Sequence, residues 1–556
     1  MNKLESDFST LPAVKPRSRW RTLRTLLVIC ASLTTVVALF YAEENWRGRR
    51  AWLAYQRHFE TGGRTPDLKG MVATPVPDDQ NFAMTPFFKP LSVIDPATPW
   101  WTSNQTMNLV LAFGRLLEEL PRNNRAALKP VVSANLGGAM GDWRRGRSRD
   151  IVAAYMVYKW DTNNLARSAP GFDPANVTRE QAAHGILENL AMVDPILAEI
   201  RSAAARPYNR FTDFHHAHFP GSVLLPYLGP INHLARLASY RASAELALDE
   251  SDDAMLDALV ILRLAESIRD ERTEISQLVR ANVVTSAIQP IWEGLAAHLW
   301  TEAQLKRLQD VLLKVDLPTQ FRLALEGDRQ MGNAMIEALR PAGNRQPNLD
   351  KFKLRNRNGD DEELFGFIPV DLLPQGWFYF EQLEYNRLFD LLVGPGPEPG
   401  KARVNPRRVT TNQLQIQAAL SATNRFAAVW HHRVLPRMLL ANLLNFDSEL
   451  RIATVQTAVE QAAIACALER HRIDKGGYPE TLDVLTPAFA TYLPPDVVTG
   501  ESYKYRRNPD GTFVLYSVGW NLQDDRGTLS NQGWKYLGMN PKKDDWVWFS
   551  SRQTDP

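Results

Sequence analysis

Three histidines fall within four residues in Phe214-His215-His216-Ala217-His218-Phe219. Neutral imidazole binds zinc and copper well, so His215, His216 and His218 are the first candidates for a transition-metal centre. In an extended backbone, alternation puts His216 and His218 on one face, with Asp213 nearby as a ligand or as a carboxylate behind a ring. The partners of a catalytic zinc site are missing, since the chain has no HExxH, no distant cysteine pair and no carboxylate at ligand spacing. A surface loop carries the same residues without any metal. His184 lies four residues after Glu180 and four before Glu188, which allows contact on one helix face and is equally the pattern of a solvated charged face. His431-His432 is a weaker pair, beside Trp430 and Arg433 on a helix.

Other chemistry is thinner still. No G-x-S-x-G elbow or P-loop is present. The G-x-G in Gly394-Pro395-Gly396-Pro397-Glu398-Pro399-Gly400 is interrupted by prolines and reads as a linker. Cys30 sits in an apolar run and Cys466 on the apolar side of a helix, so both read as structural. Arg144, Arg145, Arg147 and Arg149 form a basic patch suited to phospholipid headgroups or an acidic partner, or simply to a solvated loop.

The elements that would position these residues follow from composition and periodicity. The chain has 556 residues, 44% hydrophobic and 23% charged, which excludes both a polytopic membrane protein and a wholly disordered chain. A net charge of +2 gives no global field for nucleic acid. Two cysteines exclude a disulfide scaffold and a four-cysteine zinc site.

Leu26 to Ala42 is an uncharged run, LLVICASLTTVVALFYA, about 25 Å long as a helix and therefore able to cross a bilayer. Lys15, Arg17, Arg19, Arg21 and Arg24 precede it, and Arg47, Arg49, Arg50 and Arg57 follow. That small excess and the short basic arm favour a cytoplasmic N-terminus, a signal anchor in the bacterial inner membrane, and residues 43–556 in the periplasm. The apolar run continues past the poor cleavage site at Val36-Val37-Ala38, which favours an uncleaved anchor.

Residues 46–60 read as an amphipathic helix continuing from the membrane, with Trp46, Trp52 and Tyr55 available to the interface. Prolines between Pro66 and Pro99 make an extended strap, so 43–103 is a juxtamembrane helix and linker. Residues 104–345 form a helical body. Leu234, Leu237, Tyr240, Ala244 and Leu248 recur at helical spacing, and so do Met255, Leu259, Leu262, Ala265 and Ile268. Polar breaks such as Asp249-Glu250-Ser251-Asp252 supply N-caps between successive hairpins. Residues 346–409 are a Pro/Gly-rich linker, within which Trp377 to Leu392 forms an aromatic helix that docks on the body.

The segment 410–556 ends in ordered words. A helix from Leu450 to Arg472 stops at Lys475-Gly476-Gly477, Tyr478-Pro479-Glu480 follows, and strands at Tyr503–Arg507 and Thr512–Val518 are joined by Asn508-Pro509-Asp510-Gly511. ERHRIDKGGYPETLDVL, LPPDVVTGESYKYRR and FVLYSVGWNLQDD together resemble the globular domain of type II secretion major pseudopilins over residues 450–527. The resemblance implies calcium in the loop after the sheet, at Asn521, Asp524 and Asp525, with Asn521 standing where the family has aspartate. The prepilin cleavage motif of that family does not precede Leu26. The layout as a whole resembles bacterial membrane-anchored proteins with a helical body, a group that implies no activity.

The expected fold is mainly α: an irregular array of helical hairpins, a small C-terminal α+β pseudopilin-like module and an N-terminal transmembrane helix over 26–42 after a basic arm, 1–25. The expected function is non-catalytic, an envelope protein that interacts with secretion or pilus-assembly proteins and not with nucleic acid. The alternative is a membrane-tethered metal-dependent hydrolase built on the histidine cluster.

Overall fold

In the computed structural model, described residues are 19–61, 76–92, 141–155, 177–211, 225–340, 354–355, 361–362, 373–394, 403–421, 425–443, 447–529 and 540–552. They form two compact units, one of Met1–Arg64, Ile336–Tyr385 and Thr423–Pro436, the other of Thr65–Met335, Asn386–Ala422 and Arg437–Pro556.

The first unit is organised on α1, a continuous helix over Arg19–Thr61. Its apolar part is long enough to cross a membrane and is 0% buried. Leu26, Leu27, Leu33, Val36 and Leu39 all stand exposed. No polar residue interrupts the backbone ladder, because Thr34 and Thr35 donate their hydroxyls to the carbonyls of Cys30 and Ala31 one turn back. Beyond Ala42 the helix becomes one-sided. Glu44, Gly48, Trp52 and Phe59 are buried along one face, while Trp46, Arg49, Arg50, Leu53 and Arg57 remain exposed. Trp52, expected at the membrane interface, is instead in the core at 6% exposure.

That buried face receives the first half of a helix over Gln375–Val393. The two backbones touch where glycine faces glycine: a Cβ built on Gly48 would lie 2.1 Å from the Gly376 carbonyl oxygen, and one on Gly376 2.0 Å from the Glu44 oxygen. Only hydrogen fits at such a crossing. The Gly376 amide donates to Asn45 Oδ1 at 2.7 Å, and Trp377 Nε1 donates to Glu44 Oε2 at 3.0 Å. The second half of the same helix bonds to Arg329 and Asn333. Asn386 and Asn333 exchange amide hydrogen bonds, and Arg329 donates to Asp390 at 2.7 Å.

The second unit holds the helical array: α2 (Arg179–Leu190), α3 (Asp194–Ser202), α4 (Leu228–Ala247), α5 (Ser251–Ser267), α6 (Glu274–Ala296), α7 (Glu302–Leu312) and α8 (Leu317–Leu339). The helix of Gln375–Val393 is α9, followed by α10 (Pro406–Ser421), α11 (Arg425–Trp430), α12 (Val434–Leu443) and α13 (Ser448–Lys475). Helices α4, α5 and α6 pack on one another, as their periodic apolar residues require. Capping boxes start α2 at Thr178 with Gln181 and α7 at Thr301 with Gln304. The break before α5 works differently from the expected side-chain cap. Glu250 caps without a side-chain bond, and Asp249 turns the chain at φ 61°.

Helix α13 is buried on nearly every side between Ser448 and His471. It packs against α6 and α7 and against the sheet, so it is the central element of this unit. Gly476, at φ 80°, ends it in the left-handed region. The sheet has order β1-β2-β3, antiparallel throughout, from Lys504–Arg507, Phe513–Ser517 and Trp546–Phe549. The first two strands match the hairpin read from sequence, with Arg507 opposite Phe513. The third, β3, had not been anticipated; it makes buried β2 the central strand.

Candidate functional site

The histidine cluster His215, His216 and His218, with Asp213, lies outside the described residues. His184, Glu180 and Glu188 stand exposed on α2, a solvated charged face. His432 stacks on Phe380 at 4.8 Å, and burial, with His431 and Arg47 adding, pushes its pKa down to about 4. At neutral pH it is an uncharged packing residue. Burial pushes the Cys466 thiol up to about 12, so it is no nucleophile.

Half of the arginine patch is not a solvated loop, although Arg147 is exposed. Arg144 and Arg149 are buried at 6% and 8% exposure. The Arg149 guanidinium donates to the Ser239 carbonyl at 2.7 Å and to Ser243 Oγ at 2.8 Å, and lies over the Tyr240 ring at 4.0 Å. Its backbone amide donates to Glu293 at 2.7 Å, and that of Trp143 to Gln289 at 2.8 Å. Arg144 stacks on Trp143, whose ring meets Trp548 of β3 at 5.5 Å. These residues thus clamp α4, α6 and β3 together, with the buried Arg149 charge met by backbone and hydroxyl acceptors.

In the loop after β2, Asn521 donates to the Lys543 carbonyl at 2.6 Å and accepts from the Gln523 amide at 2.9 Å. Asp524 accepts from Tyr516 at 3.1 Å and from the Arg526 amide at 2.9 Å. The unexpected neighbour is Asp545, fully buried just before β3, which accepts from the Gly527 amide at 2.8 Å. Its Oδ1 has no hydrogen-bond partner, and burial, reinforced by Asp525 and Asp524, pushes its pKa up to about 6. The loop is therefore held by its own hydrogen bonds around a reluctantly charged carboxyl. Among the described residues no group of three His, Cys, Asp or Glu side chains is placed to hold a metal ion.

One dense polar constellation was not singled out in the sequence. Glu469, near the end of α13, is 2% exposed. It meets His298 Nδ1 at 2.8 Å, accepts from Arg472 at 2.7 and 3.0 Å, and accepts the Tyr478 hydroxyl at 2.7 Å. Two turns earlier Glu460 accepts from Tyr503 at 2.6 Å, from Gln456 at 2.9 Å and from Arg403. Burial raises the Glu460 carboxyl above its usual range despite these donors. Glu469, Arg472 and Tyr478 all stand in the words that carry the pseudopilin resemblance, and that was the available signal. His298 is 171 residues away in sequence and left none.

These groups can bind protons and hold elements together, but none is a nucleophile beside a base. Burial works to raise the Glu469 carboxyl, yet its donors outweigh burial and hold it down at about 2. An unfolded glutamate titrates near about 4.3, so the native state binds this proton more weakly than the unfolded chain. The stabilisation is complete above the unfolded value and disappears as pH falls towards 2. Urea midpoints are expected to decline between about pH 5 and pH 2.5, and Glu469→Gln is expected to be less stable at neutral pH with a flatter acid limb. An unchanged acid limb in that variant would remove Glu469 from this role.

Comparison with known proteins found no matching family model, curated protein or solved structure.

Proposed function

We propose that this is a single-pass, non-catalytic envelope protein of the bacterial inner membrane, whose body lies in the periplasm and serves a secretion or pilus-like assembly. The observation that carries the reading is the wholly unburied apolar part of α1, continuous with a stretch whose lower face is built into a folded unit. Exposed leucine and valine along successive turns of a helix need lipid around them. The resemblance of the C-terminal words supplies the class of assembly.

The packing of α13 limits how the module takes part. A helix covered by α6, α7 and the sheet has no free face for a filament, so the module contributes its loops and its sheet edge. That edge, β1, carries Lys504, Arg506 and Arg507, charges that discourage strand addition by another chain.

The test is crosslinking in intact cells, affinity capture through a C-terminal tag and mass spectrometry, alongside alkaline carbonate extraction. Retention in the membrane with enrichment of secretion or pilus-assembly proteins is the expected result. Release by carbonate, or capture of the protein alone, would overturn the reading.

A further inference from the structure

We infer that the first unit carries a docking platform for anionic phospholipid headgroups, formed by Trp46, Arg49 and Arg50 of α1 together with Trp430. This rests on the membrane-anchor reading and goes beyond it by naming what the protein grips at the bilayer surface.

Depth is the first argument. Trp46, Arg49 and Arg50 lie four to eight residues beyond Ala42, about 6–12 Å past the apolar run along the helix axis, which is headgroup level. Trp46 is 60% exposed, and the Arg50 guanidinium sits over its ring at 5.1 Å. Indole and guanidinium stacked in this way suit the polar–apolar boundary, where one part faces acyl chain and the other phosphate.

The second argument is that the fold brings the segment carrying a distant exposed tryptophan to the stretch of α1 just beyond the apolar run. Trp377 is bonded to Glu44 at 3.0 Å and its ring meets His432 at 5.4 Å. Phe380 stacks on that histidine and receives the Arg47 guanidinium at 6.0 Å. Two residues before His432 stands Trp430, 63% exposed at the end of α11. His432, two residues beyond Trp430, is thereby held against Trp377 and Phe380, which contact Glu44 and Arg47 nearly 400 residues away.

Charge decides the occupant. Among the described residues Arg49 and Arg50 have no ion-pair partner, and both are exposed. The nearest carboxylate in sequence, Glu44, is buried with Trp377 and bonded by Arg47 at 2.6 Å, and among the described residues the exposed Glu43 pairs with neither arginine. Two exposed guanidinium groups, one of them stacked on the exposed Trp46 indole, fit the phosphate of an anionic lipid better than a zwitterionic headgroup.

The experiment uses the full chain purified in detergent and supplied with phosphatidylglycerol or phosphatidylcholine, with retained lipid counted by native mass spectrometry. Wild-type protein is expected to hold phosphatidylglycerol preferentially. The double variant Arg49→Gln, Arg50→Gln is expected to lose about 30-fold of that retention, from about 1 kcal/mol per arginine near an anionic surface. Trp430→Ala is expected to lower retention of both lipids. All of these side chains are exposed, and circular dichroism confirms that the variants keep their fold. Equal retention of the two lipids, an unaffected double variant, or a stoichiometric protein crosslinked at Trp430 in place of lipid would each overturn the platform. Failure of carbonate-resistant insertion in wild type would instead sink the anchor, so the two readings fail separately.

Discussion

Trp292→Ala is expected to lower the stability of the fold by about 3–5 kcal/mol, the range for emptying a large buried aromatic site. Trp292 is 0% exposed on α6, and its Nε1 donates to the carbonyl of Phe549 on β3 at 2.8 Å. The substitution therefore opens a cavity and also removes the donor to a part-buried carbonyl, at an indole that joins the helical array to the last strand. Since folded proteins are stable by only about 5–15 kcal/mol, this loss is a large fraction of the total. Trp292→Phe separates the two effects, because it fills most of the space and loses only the hydrogen bond, at a cost of about 1–2 kcal/mol. Denaturant unfolding followed by near-ultraviolet circular dichroism measures both variants. A loss below about 1 kcal/mol in Trp292→Ala would mean that α6 and β3 do not unfold as one cooperative core.

Gly376→Val should undock the start of α9 from α1. The new Cβ would stand 2.0 Å from the Glu44 carbonyl oxygen and 2.7 Å from the Asn45 Cα. Both obstacles are backbone, so no side-chain rotation relieves them. The helices must move apart, losing the bonds of Trp377 to Glu44 and of Gly376 to Asn45. Overpacking of this kind costs about 1–3 kcal/mol, and more when backbone has to shift. Hydrogen exchange is expected to accelerate over 375–385 and over 44–59 together. Gly477→Ala serves as the control, since nothing lies within 4 Å of its Cβ position and it should leave exchange unchanged. Unaltered protection in Gly376→Val would show that the glycine crossing is not what holds these helices.

Much of the architecture was legible because it depends on near neighbours in sequence. The lack of charge from Leu26 to Ala42 suffices to specify a helix that lies unburied, and alternating residues around Asp510-Gly511 suffice to specify the β1–β2 hairpin. Here Gly511 takes φ 84°, the conformation that glycine provides without strain. The third strand was missed although Trp546-Val547-Trp548-Phe549 is rich in aromatic and β-branched residues. Four such residues after a polar stretch carry no partner information, and β3 exists only because Leu515 finds Trp548 across the ladder.

The candidate sites divide in the same way. A run of charges is ordinarily solvated, as Arg147 is here, and nothing local shows that Ser239, Ser243 and Tyr240 wait on α4 to receive Arg149. Asn521, Asp524 and Asp525 were visible as a loop, whereas Asp545 became part of that loop through the antiparallel return of the chain. By itself the sequence determined the apolar helix, the helical periods, the glycine stop after α13 and the hairpin, because turn chemistry and side-chain spacing act over a few residues. Tertiary structure alone decided that α13 is enclosed, that Gly48 meets Gly376, that His298 reaches Glu469 and that His432 stacks on Phe380. Each of these pairs residues far apart along the chain, and their proximity comes from packing helices and strands together, which local preference does not encode.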